Sequence, residues 1–151
     1  LLLWGPVGTG KTHAIAALVR RIIVKAQGGV RVERVAFSTL LRELRECFRP
    51  EAERSEMDAL RPYLSAEILW LEDLGADQGL GAQSTDFAVR TAELLIDGRM
   101  EQEKPTFVTS NLSVESLKES FDERIASRLC TFTIIKLVGC DRRKSQGGKV
   151  K

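Results

Sequence analysis

The chain has 151 residues, 43% hydrophobic and 29% charged. That balance suits one globular domain burying roughly two thirds of its unfolded surface, and it excludes disordered and fibrous classes. Lys and Arg number 23 against 21 acidic residues, and the resulting +2 neither requires nor excludes a polyanionic partner. Cys47, Cys130 and Cys140 are odd in number and far apart, with no CxxC pair, which argues against a disulfide framework and a zinc site. No apolar run reaches the ~20 residues of a membrane span, and the opening LLLW lacks the flanks of a signal peptide, so the expected compartment is the cytoplasm. The chain opens inside an apolar run without Met and is expected to be a fragment.

Residues 1–4 form a short continuous apolar run, the pattern of a strand buried on both faces, and lead into a Gly-rich turn. A helix over 12–25 follows, with Ile15, Leu18, Val19, Ile22 and Ile23 at helical spacing and Gly28-Gly29 closing it. Residues 30–37 read as a second strand. Ser38 is placed to cap a helix whose face is Leu40, Leu41, Leu44 and Phe48 and which Pro50 closes. Residues 51–65, charged and carrying Pro62, predict a loop or short helix, and 68–71 a third strand. Gly75, Gly79 and Gly81 mark a mobile loop before a helix over 85–100. Pro105 opens a fourth strand at 106–109. Ser113 and Ser120 are expected to start two short helices, Ser120 with Glu123 at capping-box spacing, and 131–138 reads as a fifth strand. Alternating strands and helices imply a parallel sheet covered on both faces, with ligands at the carboxyl ends of its strands.

Gly5-Pro6-Val7-Gly8-Thr9-Gly10-Lys11-Thr12 fits GxxxxGK[ST]. Its glycines let backbone N–H groups wrap phosphates, while the positive end of the following helix points at them. Lys11 is expected to reach the β and γ phosphates of ATP, and Thr12 to place its hydroxyl on Mg²⁺. Ile68-Leu69-Trp70-Leu71-Glu72-Asp73 is an apolar strand ending in two acids, the Walker B pattern. Glu72 would hold the Mg²⁺ shell through water and Asp73 would position or deprotonate the attacking water. Asn111, after the fourth strand, either orients water near the γ phosphate or makes an Asx turn before Ser113.

GPVGTGKTH, LEDLG, PTFVTSNL, DERIASRL and LVGCDRR occur in an order that resembles AAA+ ATPases of the DnaC/IstB type, the helicase loaders and transposition helpers, over nearly the whole chain. The resemblance implies a three-layer αβα P-loop core over residues 1–151, a five-stranded parallel sheet of order 5-1-4-3-2, and ATP at the subunit interfaces of a ring or spiral. The N-terminal partner-binding region of such proteins would be missing. Asn111 is then similar to sensor 1, Arg128 to the arginine finger that reaches a neighbour's ATP, and Arg143 to sensor 2, with Arg142 as a rival. Arg124 lies one helical turn before Arg128; taken alone, either arginine also reads as part of a solvated face.

One departure stands out: the family usually carries Asp at the first acidic position, where this chain has Glu72 before Asp73. One extra methylene is expected to weaken Mg²⁺ placement or slow hydrolysis, because catalytic geometry tolerates little displacement. His13 is expected to support the neighbouring site residues or to pack rather than catalyse, and Trp4 and Trp70 to belong to the core. Arg20, Arg21 and Lys25, and the tail Arg142, Arg143, Lys144, Lys149 and Lys151, are either solvated surface or contacts to single-stranded DNA. The leading expectation is an ATPase that couples nucleotide state to self-association and to assembly on DNA, a helicase or a transposase. The alternatives are an ATP-controlled scaffold with little turnover and a small-molecule P-loop kinase.

Overall fold

Strands and helices alternate through residues 1–76 and 86–141, which are those the computed structural model describes. In chain order they are β1 (Leu2–Trp4), α1 (Lys11–Lys25), β2 (Val32–Ala36), α2 (Phe37–Glu46), α3 (Glu56–Ser65), β3 (Ile68–Glu72), α4 (Asp86–Met100), β4 (Thr106–Ser110), α5 (Val114–Ser120), α6 (Glu123–Cys130) and β5 (Ile134–Lys136). The strands form one parallel sheet ordered β2-β3-β4-β1-β5, the expected order read from its other edge.

The central strands are apolar throughout because helices cover both faces: Ile68 to Leu71 are buried, as is all of β4. Alternation along each strand divides the core in two. Leu3, Ile68, Trp70 and Phe107 meet Ile15 and Val19 of α1 on one face. Leu2, Leu69, Leu71 and Val108 meet Leu40, Leu41 and Leu44 of α2 and Leu95 and Ile96 of α4 on the other. This is a three-layer αβα arrangement around a parallel sheet, the fold class expected from the sequence. Among the described residues no helix is long and apolar enough to cross a membrane.

Two capping expectations are corrected. Ser38 does not cap α2; the helix begins one residue earlier, at Phe37, after an extended Ala36 that carries no polar side chain. Asp122 rather than Ser120 caps α6, accepting the Arg124 N–H at 2.6 Å, and Ser120 is the last residue of α5. Of residues 51–65, expected as a loop or short helix, Glu56–Ser65 form the helix α3, capped by Ser55 through the Asp58 N–H, with Pro62 inside it. Proline removes the bond to the carbonyl four residues back, and that carbonyl, of Asp58, accepts from Arg54 Nη2 at 3.2 Å instead. Ser113 caps α5 as expected. Gly79, Gly81 and Thr85, and the tail from Arg142 onward, lie outside the described residues.

Candidate nucleotide site

The loop between β1 and α1 is at the carboxyl end of the sheet, with β4 on one side and the residues after β5 on the other. The Gly5 N–H donates to the Ser110 carbonyl at 3.2 Å, and the Leu137 N–H donates to the Trp4 carbonyl at 2.8 Å. A side chain on Gly5 would collide with the Leu137 carbonyl and one on Gly8 with the Asp141 carboxylate, at φ of +150° and +79° where side chains are strained in any case. Thr9 braces the turn by donating from Oγ1 to the Pro6 carbonyl at 2.8 Å. Gly10, left-handed at φ 95°, starts α1 without a side-chain cap, and no acid occupies the first turn. The first N–H groups of a 15-residue helix therefore lack a side-chain acceptor at their cap, the arrangement that receives phosphate.

Lys11 is buried at this helix start, and its ammonium donates to the carbonyls of Gly5 (2.6 Å) and Pro6 (2.9 Å) and to Asn111 Oδ1 (2.7 Å). The last bond joins residues 100 apart in sequence. It arises because β4 pairs with β1, Trp4 lying opposite Ser110, so both strands release their next residues side by side. The amide of Asn111 faces Lys11, while Ser113 caps α5. Thr12 is exposed in the first turn of α1, and His13 beside it is exposed as well.

The acids take different positions. Glu72 is the last residue of β3, on the face of Trp70 and α1; Arg34 Nε and Nη2 both donate to its Oε2, at 3.0 and 2.8 Å. Its other oxygen, Oε1, is buried with no hydrogen-bond partner among the described residues. Asp73 leaves the strand at φ +55° and is exposed. Its N–H donates to Thr109 Oγ1 at 3.1 Å, the Leu74 N–H to the Thr109 carbonyl at 2.9 Å, and Ser110 Oγ to the Leu74 carbonyl at 2.7 Å. The turn that presents Asp73 is thus fixed to the end of β4.

Arg128 and Arg124 are away from this loop, on α6. Arg128 grips Asp97 of α4 with Nε to Oδ1 at 2.6 Å and Nη2 to Oδ2 at 3.3 Å, and Arg124 pairs with Glu93 at 3.5 Å. The Asp97 carboxylate holds the Arg128 guanidinium above its usual pKa. Arg143 lies outside the described residues. Arg34, Glu93 and Asp97 belong to none of the sequence motifs, and Asp141, within LVGCDRR, carries no role there. A signal existed for the first three: Arg34 sits on the strand expected beside the acidic one, and Glu93/Asp97 repeat the four-residue spacing of Arg124/Arg128.

No family model matches the chain. The replicative helicase loader DnaI of Bacillus subtilis is 28% identical over 121 residues, 80% of this chain and 36% of that protein. An ATP-binding protein of an insertion sequence in Mycobacterium tuberculosis is 31% identical over 111 residues, 74% of this chain and 40% of that protein. The chain is similar to helicase loaders and to insertion-sequence ATP-binding proteins. A crystal structure of DnaI aligns with a TM-score of 0.72 at 26% identity, over 95% of this chain and 71% of that one. This chain spans well under half the length of the curated relatives it matches.

Proposed function

We propose that this chain binds ATP with Mg²⁺ and hydrolyses it, and that nucleotide state controls self-association and assembly on single-stranded DNA, a helicase or a transposase. The observation that carries this reading is the Lys11–Asn111 contact, which joins the phosphate-loop lysine to the end of β4. Lys11 lies at a helix start without a side-chain cap, so an anion there would meet a buried ammonium and the first N–H groups of α1. The residues fit Mg²⁺ as well. Glu72 Oε1 is a buried acceptor lacking a donor among the described residues, and Thr12 offers a hydroxyl in the first turn of α1. Bound there, the ion would neutralise charge on the β and γ phosphates.

In this reading Asn111, at the end of β4, would orient a water, and Asp73, on a turn tied to β4, would accept its proton. Arg128 cannot serve a neighbour while Asp97 holds it, so as an arginine finger it would exchange this carboxylate for phosphate oxygens on assembly. Helicase loading is favoured by the similarity to DnaI, and transposition help by the similarity to the insertion-sequence protein. The deciding measurement is the ATPase rate of the full-length protein with and without single-stranded DNA, together with Arg128→Ala mixed into wild type. Turnover that responds to DNA and is suppressed by the variant, while ATP still binds, supports the interface switch. ATP binding without turnover under any condition replaces it with an ATP-controlled scaffold.

A further inference from the structure

Arg34 is on the edge strand β2, outside the phosphate loop. Its register partner on β3 is Trp70, and the partner of Glu72 is Ala36. The methyl group of Ala36 leaves the flank of Glu72 open, and Arg34 reaches diagonally into it. Its guanidinium lies 4.3 Å from the centroid of the Trp70 ring, a cation–π contact that gives the fork a fixed support. Both nitrogens it offers converge on one oxygen, Oε2, while Oε1 is buried and unbonded among the described residues. The usual fork-to-fork geometry would have engaged both oxygens.

We propose that Arg34 is a positioning residue for Glu72: braced on Trp70, it grips one carboxylate oxygen so that the other is fixed for a Mg²⁺-bound water. The inference rests on the reading of Glu72 as the carboxylate of the Mg²⁺ shell. It also explains why Glu is workable where the resembled proteins usually carry Asp. The extra methylene adds a torsion that would blur the carboxylate's aim, and the clamp removes that freedom. An ion pair with Arg34 about half exposed contributes little to folding, so the arrangement is better explained by orientation than by stability.

The test is Mg²⁺ dependence of binding of a fluorescent ATP analogue to the full-length protein, with thermal melting as a control. Arg34→Ala is expected to raise the Mg²⁺ concentration for half-maximal binding about tenfold, the low end for loss of a partner behind a metal ligand. Binding in EDTA and the melting midpoint should stay near wild type. Arg34→Lys, which keeps charge but not the fork, should fall between. In a Glu72→Asp background, where the shorter arm does not reach the clamp, Arg34→Ala should add nothing. If Arg34→Ala unfolds the protein, Arg34→Met keeps an apolar cover on Trp70 and meets the same criteria. A Mg²⁺ requirement unmoved by Arg34→Ala but raised by Glu72→Gln overturns the clamp and spares the metal reading. A requirement unmoved by Glu72→Gln overturns both.

Discussion

Two buried cations, at opposite ends of the sheet, show how differently the same kind of group can be used. Arg99 of α4 is fully buried at the amino end of the strands. It donates to Thr106 Oγ1 (2.9 Å) and to the carbonyls of Tyr63 (2.7 Å), Ala66 (2.8 Å) and Pro105 (2.8 Å). These acceptors include carbonyls at the negative end of α3, so one guanidinium closes that helix, the start of β4 and the approach to β3. Burial lowers it to about 10, which still leaves it charged at neutral pH. Lys11 is nearly as buried at the carboxyl end, also among carbonyls, but it stands on the positive end of its helix. A cation at the negative end of a helix is answered by the fold. Under the proposed nucleotide reading, one at the positive end meets the phosphates of a bound ligand.

The comparison can be broken most forcefully at Arg99. Arg99→Met should destabilise the protein by about 4 kcal/mol, because it strands several buried carbonyls, yet leave nucleotide affinity of the folded protein unchanged. Urea unfolding followed by nucleotide titration below the transition checks both halves. Lys11→Ala should do the reverse. Affinity for ATP should drop about a hundredfold through loss of a desolvated charge pairing, with the urea midpoint little altered. Should the two variants behave alike, the division between fold and ligand collapses.

Asn111→Ala sharpens the contrast at the Lys11 end: single-turnover ATP hydrolysis is expected to slow about tenfold while affinity changes little, as for a group that orients water. An equal loss of affinity would make Asn111 a mere brace for Lys11. The smallest effect is expected at the exposed ladder between α4 and α6. Releasing Arg128 with Asp97→Asn should raise turnover of the assembled protein about twofold, since exposed pairs are weak. A fall in rate instead would mean that Asp97 aims Arg128.

Sequence patterning made most of the fold legible because its signals are local. Continuous apolar strands, helical spacing and glycine punctuation placed the elements of the described residues to within a few positions, apart from α3, which was left open between loop and short helix, and the Gly5–Thr12 motif falls on the turn between β1 and α1. Capping was less legible. Ser38 and Ser120 were expected as caps, but α2 starts after Ala36 and α6 is capped by Asp122; where a helix begins depends on the packing that follows. β5 extends only from Ile134 to Lys136, with all three residues exposed on the sheet edge, although the apolar run around it predicted a longer strand.

What the sequence determined by itself is a Gly-rich GxxxxGK[ST] turn on a parallel αβα sheet, because backbone geometry and periodicity are written in neighbouring residues. What only the tertiary structure decided is partnership. Asn111 meets Lys11, Arg34 takes one oxygen of Glu72, and Asp97 holds Arg128. Each of these contacts joins residues far apart in the chain, and strand order, register and helix packing choose them; no local pattern records which of many compatible charges will face each other.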